Sequence, residues 1–266
     1  MKMRVQPVLI ALALAAIALA LLASCANSLI YHPHREEVVP NFPGVEAVRI
    51  ETEDGESLVA WWRPPPVHDA PVFLFFDGNG GRPQIWEGRW RRIVEGGAGF
   101  LAVYYRGYSG STGYPSEQGL YADARAGYDW LIARNYKPSD IVIHGFSLGS
   151  GVAVRLASER PARALILEAP FTGIDDVAAA RFSPLAALAI RDRFASRDLI
   201  GAVRMPLLIV HGDADSVVPF AHGERLFQLA REPKRFVRMA GSDHATLVRD
   251  GIYEQIWPFL QQHPGD

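Results

Sequence analysis

Residues 144–151 read HGFSLGSG, and this stretch decides the fold because it joins a predicted strand to a predicted helix through a tight turn. The apolar run Ile141–Ile143 comes directly before it. Gly145 and Gly149 flank Ser147, and small residues suit those places because the backbone crowds its neighbours where a strand turns sharply into a helix. A G-x-S-x-G match is common, however, and an ordinary glycine turn also fits it. A catalytic role for Ser147 therefore depends on a base, an acid and an oxyanion hole elsewhere in the chain.

Short apolar runs alternate with amphipathic segments on both sides of this stretch. Buried strands are predicted at Val72–Phe76 and Phe100–Tyr104, and further strands at Ile141–His144, Ala164–Leu167, Pro206–Val210 and Arg235–Met239. Helices are predicted at Gln84–Glu95, Glu117–Arg134 (with Ser116 as N-cap), Ser150–Glu159, Phe220–Ala230 and Ile252–Gln261. The alternating runs Glu46–Glu51 and Ser57–Arg63 predict a β-hairpin at a sheet edge. This order predicts an α/β fold with right-handed crossovers and a mostly parallel sheet flanked by helices.

One long segment interrupts the alternation. Phe171–Val203 lies between two predicted strands, is too long for a simple crossover, and is too apolar for a disordered linker. We interpret it as a short helical cap inserted over the sheet. Residues 44–266 are then one domain that carries the cap at about 171–203.

Composition excludes several classes of protein. The chain has 266 residues, of which 49% are hydrophobic, and a formal net charge of -2. No run of five like charges is present, so a nucleic-acid partner is not expected. The lone cysteine, Cys25, permits no intramolecular disulfide and no multi-cysteine zinc site, and H-E-x-x-H does not occur. Neither a metal nor an organic cofactor is expected.

The amino terminus resembles a bacterial lipoprotein signal peptide. Lys2 and Arg4 give a positive start, and Val8–Ala23 is an uncharged apolar run that is short for a membrane span. Residues 22–25, Leu-Ala-Ser-Cys, then resemble the lipobox, in which cleavage precedes an acylated cysteine.

This resemblance implies a signal peptide over residues 1–24, lipidation at Cys25 by acyl chains such as palmitate, and a tether over residues 25–43. The protein would be held to a membrane of the bacterial cell envelope by its N-terminal lipid anchor, outside the cytoplasm. An uncleaved signal anchor is the alternative, and it also places the domain beside a membrane.

A serine hydroxyl needs a base, and in the strand–turn–helix setting the order is serine, then an acid, then histidine. After the strand at 206–210, Asp213 and Asp215 are both candidates for the acid. His244 follows the last predicted strand and is the favoured base. His222 falls within a predicted helix and His263 in a Pro-Gly tail, so neither is expected to reach both partners.

The oxyanion hole requires a backbone amide after an early strand as well as the one after the serine. The glycine-rich loop Asp77–Gly81 is the candidate, with a plain turn as the alternative. A second loop, Tyr104–Tyr114, is expected on the same face of the sheet. Its aromatic side chains fit pocket lining and packing equally well.

Together, these motifs resemble the α/β-hydrolase superfamily, and within it the small serine hydrolases related to serine aminopeptidases and abhydrolase-domain depalmitoylases. The motifs are FFDGNGG, YYRGYSGSTGYPSEQGLYADARAGYDWL, GFSLGSG, HGDADSVVP and GSDHATL. The resemblance implies Ser147 as nucleophile, His244 as base and Asp215, rather than Asp213, as acid. It also implies that the backbone amides of Asn79 and Leu148 form the oxyanion hole.

The chain departs from this family where the oxyanion loop begins, because Asp77-Gly78 replaces the usual His-Gly. A carboxylate there is unfavourable near a developing oxyanion unless it points away or is paired, and Arg82 or Arg106 is a candidate partner.

The resemblance implies cleavage of a small-molecule or lipid ester, or of a thioester, through an acyl-enzyme, as in carboxylesterases. A peptidase of the serine aminopeptidase-like type and a lipid acyl hydrolase are the alternatives within the same fold. A non-catalytic binding protein or envelope lipoprotein is disfavoured, because all three residues of a triad are present in the required order.

Overall fold

The computed structural model describes residues 30–36, 38–81 and 87–265. The predicted signal peptide and the predicted lipidation site at Cys25 therefore lie outside the described residues. Within them, one sheet contains strands β1 (Glu46–Glu51), β2 (Ser57–Arg63), β3 (Val72–Phe76), β4 (Gly99–Val103), β5 (Ile141–Phe146), β6 (Ala164–Glu168), β7 (Leu207–Gly212) and β8 (Lys234–Met239). Their spatial order is β1-β2-β4-β3-β5-β6-β7-β8.

The described helices are α1 (Glu87–Glu95), α2 (Glu117–Ile132), α3 (Leu148–Glu159), α4 (Ile174–Arg181), α5 (Pro184–Ala189), α6 (Ser196–Leu199), α7 (Ala221–Leu229) and α8 (Tyr253–Gln262), with 3₁₀ turns at Pro138–Asp140 and Ile200–Ala202. The predicted N-cap of α2 is confirmed, because the Ser116 hydroxyl accepts a hydrogen bond from the amide of Gly119 at 3.1 Å. The first residues of the helix predicted at Gln84–Glu95 lie outside the described residues.

The predicted α/β fold with a mostly parallel sheet flanked by helices is confirmed. Strands β3 to β8 pair in parallel, whereas β2 runs antiparallel to both β1 and β4. Alternate residues of β3 enter different cores: Leu74 and Phe76 pack on one face of the sheet, and Phe73 and Phe75 on the other. Burial on both faces explains why the strand is a continuous apolar run.

The segment between β6 and β7, predicted as a helical cap, contains α4, α5, α6 and a 3₁₀ turn. Arg197 of α6 links this helix to α4, because it donates hydrogen bonds of 2.8 Å to each carboxylate oxygen of Asp175 and of 2.9 Å to Asp176. α4 and α5 form the outer part of this segment, and they are named the cap below.

Part of the predicted tether packs on the domain. Ile30 and Tyr31 are both 6% exposed, and the Tyr31 hydroxyl donates to Asp192 at 2.7 Å. The amide of His32 donates to the carbonyl of Asn79 at 3.2 Å. In the described parts of the chain, no helix is long and apolar enough to span a bilayer.

Candidate active site

Ser147 stands at the turn between β5 and α3, with φ of 51° and ψ of −119°. A non-glycine residue at positive φ is strained, and such strain concentrates at functional sites. The flanking glycines are required by close contacts: a Cβ on Gly145 would lie 2.3 Å from the carbonyl oxygen of Gly149, and a Cβ on Gly149 would lie 2.1 Å from that of Phe76. The backbone packing therefore accounts for the G-x-S-x-G spacing.

The side chains of Ser147, His244 and Asp215 lie in hydrogen-bonding order. His244 Nε2 is 2.9 Å from Ser147 Oγ, and its Nδ1 is 2.8 Å from Asp215 Oδ2. An ionised carboxylate only accepts hydrogen bonds, so the proton of the neutral ring is on Nδ1 and Nε2 is left to accept from the serine hydroxyl. This is the tautomer that a general base requires.

The carboxylate of Asp215 is fixed by several donors. Its Oδ1 accepts from the amides of Val217 at 2.8 Å and Val218 at 2.7 Å, and its Oδ2 lies 3.2 Å from His211 Nε2. The side chain is fully buried, which alone would raise its pKa. The hydrogen bonds from His211 and His244 outweigh that effect and hold the pKa of Asp215 below its usual range. Asp215 is therefore ionised throughout the neutral range.

His211 is a contact residue of this site that the sequence motif contained but to which we assigned no role. Its ring is buried at the end of β7, and Nε2 is 3.1 Å from the carbonyl oxygen of Val218 as well as close to Asp215. Both neighbours are acceptors, so Nε2 carries the proton. The sequence feature that could have indicated this contact is the motif HGDADSVVP, in which Asp215 lies four positions after His211.

Asp243 joins the loop that carries the acid to the loop that carries the base. Its Oδ1 accepts from the amides of Ser216 and His244, each at 2.7 Å, and its Oδ2 accepts from the Ser216 hydroxyl at 3.1 Å. Charged acceptors of backbone amides fix loop positions strongly. Sequence reasoning did not assign this role to Asp243.

The rejected candidates lie elsewhere, as predicted. Asp213 accepts from Arg238 at 2.8 Å and from the amide of Gly241 at 2.7 Å. His222 lies within α7, where its Nδ1 is 2.8 Å from the Thr172 hydroxyl. His263 lies just beyond the end of α8, where its carbonyl accepts a hydrogen bond from Arg163 Nε at 3.1 Å. Within the described part of the chain, none of these three side chains forms a hydrogen bond with Ser147.

The loop after β3 lies against the serine turn. A Cβ on Gly78 would be 3.5 Å from Ser147 Cβ, and Asn79 and Leu148 line one cleft together with Ser147. Both residues predicted to form the oxyanion hole therefore lie beside Ser147. The carboxylate of Asp77 is buried, and its Oδ1 accepts from the amide of Gly78 at 2.7 Å.

Arg106 is not the partner of Asp77 that we considered, because two other carboxylates engage it. Its Nε lies 2.9 Å from Asp123, and its Nη1 and Nη2 lie 2.7 and 2.9 Å from the two carboxylate oxygens of Asp54. Arg82, the other candidate, lies outside the described residues.

Two tyrosines of the Tyr104–Tyr114 segment hold the oxyanion loop. The hydroxyl of Tyr105 donates to the carbonyl of Asp77 at 2.8 Å, and that of Tyr108 to the carbonyl of Asn79 at 3.0 Å. Both rings are buried, so these tyrosines hold the Asp77–Gly81 loop from the protein interior. Tyr114, by contrast, is 76% exposed.

A buried ion pair stands behind the serine turn. Arg89 of α1 donates to both carboxylate oxygens of Glu168, at 2.7 and 3.1 Å, and His144 Nε2 lies 3.2 Å from the same group. The carbonyl of Glu168 accepts from the amide of Ser147 at 3.0 Å. Glu168, at the end of β6, thus connects this ion pair to the backbone of Ser147.

A largely apolar cleft of about 720 Å³ opens over Ser147. The cap supplies much of its wall, and Ile30 from the amino-terminal segment and Val217 from the acid loop complete it. Arg181 is the cationic side chain among the described lining residues, and it donates to the carbonyls of Ser216 and Val217, each at 2.6 Å. The cleft therefore suits an apolar group placed within reach of Ser147 Oγ.

No cluster of three or more His, Cys, Asp or Glu side chains suited to a metal ion occurs among the described residues. The polar groups around Ser147 pair with one another instead.

Comparison with known proteins places the chain in a family. An uncharacterized protein of Mycobacterium tuberculosis is 39% identical over 206 residues, covering 76% of this chain and 73% of the relative. The lysophosphatidylserine lipase ABHD12 of Danio rerio is 33% identical over 230 residues, covering 70% of this chain and 58% of that protein. No family model matches the chain.

Among solved structures, the Pyrococcus furiosus esterase Pf2001 superposes with a TM-score of 0.70 at 18% identity, covering 89% of this chain and 99% of the esterase. At that identity the likeness concerns the fold. The strand order, the serine turn and the solved esterase agree that the chain has the α/β-hydrolase fold, and its 39% identity to the mycobacterial protein places these two chains in one family.

Proposed function

We propose that the protein is a serine hydrolase that cleaves carboxylic esters with an apolar acyl group, using Ser147 as nucleophile, His244 as base and Asp215 as acid. The observation that carries the proposal is the pair of hydrogen bonds made by His244, 2.9 Å to Ser147 Oγ and 2.8 Å to Asp215 Oδ2. A histidine with a purely structural role would not be expected to bond both a serine at strained backbone angles and a buried carboxylate, whereas a general base requires both partners.

In the first half of the reaction, Ser147 Oγ attacks the ester carbonyl while its proton passes to His244 Nε2. The amides of Asn79 and Leu148 donate to the oxyanion, each worth about 3 kcal/mol. Asp215 stabilises the imidazolium. As the intermediate collapses, the bond to the alcohol breaks, His244 gives its proton to the leaving oxygen, and the acyl group stays on Ser147.

In the second half, His244 takes a proton from a water molecule that attacks the acyl-enzyme. The tetrahedral intermediate collapses, the bond to Ser147 breaks, and His244 returns the proton to the serine oxygen. The carboxylic acid leaves and the free enzyme is restored.

Support for a lipid-like acyl group comes from the cleft. Phe171, Ile174, Val177 and Ile190 are among its lining residues, and its volume of about 720 Å³ suits a chain of many carbons. The relative named as a lysophosphatidylserine lipase also acts on a lipid ester, although this chain spans little more than half of that protein. A lipid acyl hydrolase is therefore the specific form of the proposal that we favour.

A fluorophosphonate probe and an ester panel test the proposal. The purified full chain should be labelled at Ser147 and should hydrolyse aryl esters, with kcat/KM rising as the acyl chain lengthens. The panel includes a thioester, an anilide and an amino-acid amide, so faster cleavage of the amide would favour the peptidase instead.

Ser147→Ala should abolish both labelling and hydrolysis, whereas the matched variant Ser158→Ala, on the last turn of α3, should retain both. Asp215→Asn should lower kcat by about 10⁴-fold, because the amide favours the wrong tautomer of His244. Undiminished labelling of the Ser147→Ala variant would refute the assignment.

We propose further that the protein works attached to a membrane of the cell envelope. Support comes from the sequence of the first 25 residues, with its positive start, its apolar run and the lipobox-like end at Cys25. Metabolic labelling with an alkyne fatty acid tests this: wild type should incorporate the label, and Cys25→Ser should not.

A further inference from the structure

We propose that the outer edge of the cap, formed by Phe182, Leu185 and Leu188 and named the cap edge, docks into the lipid bilayer that holds the amino terminus. The mouth of the active-site cleft would then face the membrane. The proposal rests on the membrane attachment proposed above, and it does not depend on which bond the enzyme cleaves.

The exposure of the cap edge is unusual for side chains of this size. Phe182, Leu185 and Leu188 are 78%, 75% and 76% exposed, and they lie within seven positions of one another. Scattered exposed apolar residues are ordinary on a soluble domain, but a contiguous group of large ones marks an interaction site.

The helix α5 has two apolar faces, and only one of them serves the cleft. Ala186 and Ala189 line the cleft together with Ile190, which follows the helix. Leu185 and Leu188, three positions apart on another face, are absent from that lining. Contact with a bound acyl group therefore does not account for these two leucines.

The entry point of the chain indicates what covers them. Ile30 lines the same cleft, and the next residue, Tyr31, bonds to Asp192, which follows the end of α5. Cys25, the proposed lipidation site, lies five residues before Ile30. Five residues span at most about 18 Å when extended, so the proposed anchor would hold the bilayer surface within that distance of the cleft.

Charge is consistent with a membrane surface. Arg191 and Arg193 follow α5 and are exposed, so cations border the cap edge where it would meet anionic headgroups. A second copy of the chain is a weaker candidate, because three side chains offer far less than the roughly 1,200 Å² that a stable protein interface buries. The observations therefore favour lipid as the occupant.

This arrangement would let an ester enter the cleft from the bilayer with its acyl chain shielded from water throughout. Phe182 belongs to both the cap edge and the cleft lining, so it marks the place where the two surfaces meet. Val217, 45% exposed, also lines the cleft.

Fluorescence quenching tests the docking directly. The full chain is reconstituted in vesicles of phosphatidylcholine with a minor share of phosphatidylglycerol, with or without bromine on the acyl chains. The additional fluorescence of Leu185→Trp over wild type should be quenched by the brominated lipid. Val67→Trp provides the control, because Val67 is 65% exposed but precedes the amino end of β3, whereas Ser147 follows the carboxyl end of the parallel strand β5.

Quenching at residue 185 at least about twofold stronger than at residue 67 supports the proposal, since only insertion brings the indole to acyl-chain depth. Equal quenching at the two positions overturns it. So does a Leu185→Trp signal that responds to protein concentration rather than to bromine, because that result identifies a second copy as the occupant.

Kinetics provide an independent test. Leu185→Ser with Leu188→Ser should lower hydrolysis of a long-chain ester embedded in the vesicles by about fivefold or more, and should leave hydrolysis of a water-soluble short ester unchanged. If both substrates are hydrolysed as by wild type, the cap edge has no docking role. The quenching test needs no catalysis, so it separates failure of docking from failure of the proposed hydrolase activity.

Discussion

Removing the hydroxyls of Tyr105 and Tyr108 should weaken the proposed oxyanion hole and leave the hydrogen bonds among Ser147, His244 and Asp215 in place. In Tyr105→Phe with Tyr108→Phe, the carbonyls of Asp77 and Asn79 lose donors at 2.8 and 3.0 Å. Burial, helped by the charge of Asp77, raises the pKa of Tyr105 well above its usual value, so its hydroxyl donates at any working pH. The loop carrying the Asn79 amide would then be held less firmly.

The magnitude follows from these contacts. Leaving the buried Asp77 carbonyl without its tyrosine donor costs about 1–3 kcal/mol, and the half-buried bond to Asn79 about 1 kcal/mol. The loss of kcat is capped by the value of one oxyanion donor, about 3 kcal/mol. We therefore expect kcat to fall about 10- to 100-fold, with KM nearly unchanged because the apolar wall of the cleft is untouched.

The assay compares kcat and KM on a short aryl ester, the rate of fluorophosphonate labelling, and unfolding in urea. Tyr114→Phe is the matched control, because Tyr114 belongs to the same segment but is 76% exposed. If the double variant is destabilised and yet keeps kcat within about twofold of wild type, the tyrosines support the fold and not the oxyanion loop.

Three further perturbations have defined outcomes. Gly149→Ala should lower the free energy of unfolding in urea by about 3 kcal/mol, because its Cβ would lie 2.1 Å from the Phe76 carbonyl oxygen. Asp243→Ala should lower kcat about tenfold, with little change in KM, by releasing the base loop from the acid loop; an unchanged kcat would exclude this role. Burial alone would raise the pKa of Glu168, but Arg89 and His144 hold it at about 2, below the ordinary value near 4.5, so its stabilisation is present above pH 4.5 and is lost as the pH falls toward 2. Glu168→Gln should therefore lower the free energy of unfolding at neutral pH by about 3 kcal/mol, and this free energy should fall less steeply between pH 5 and pH 2 than in wild type. Parallel pH profiles for the two proteins would contradict this.

Local patterns explain why the fold could be predicted. Each parallel strand is a run of apolar residues because both of its faces are covered, and VFLFF at β3 is the clearest case. The ends of the strands were predicted less accurately. β4 spans Gly99–Val103, whereas the prediction was Phe100–Tyr104, one residue later at each end. That register is set by pairing with β3, where Val72 opposes Gly99, and pairing is not visible in a single run of letters.

The site could be predicted where a motif fixed both residue type and spacing, as for Ser147. It could not be predicted where two loops meet in space. The bonds from Asp243 to the acid loop, from His211 to Asp215 and from Tyr105 to the oxyanion loop join residues whose approach depends on the finished sheet. From the sequence, each of these residues indicates only a polar group or an aromatic ring. Which residue it contacts depends on the tertiary structure.

The placement of the cap between adjacent strands has an evolutionary consequence. The chain leaves the sheet at the end of β6, and the two ends of the cap are hydrogen-bonded to each other: the amide of Ile174 donates to the carbonyl of Arg193 at 2.7 Å, and the amide of Arg197 donates to the carbonyl of Thr172 at 2.9 Å. An insertion whose two ends are neighbours can be lengthened, shortened or replaced at little cost in chain entropy. None of Ser147, Asp215 and His244 lies within it. Substrate range can thus diverge among descendants by exchange of one modular segment, while Ser147, Asp215 and His244, which we propose perform the chemistry, are inherited unchanged.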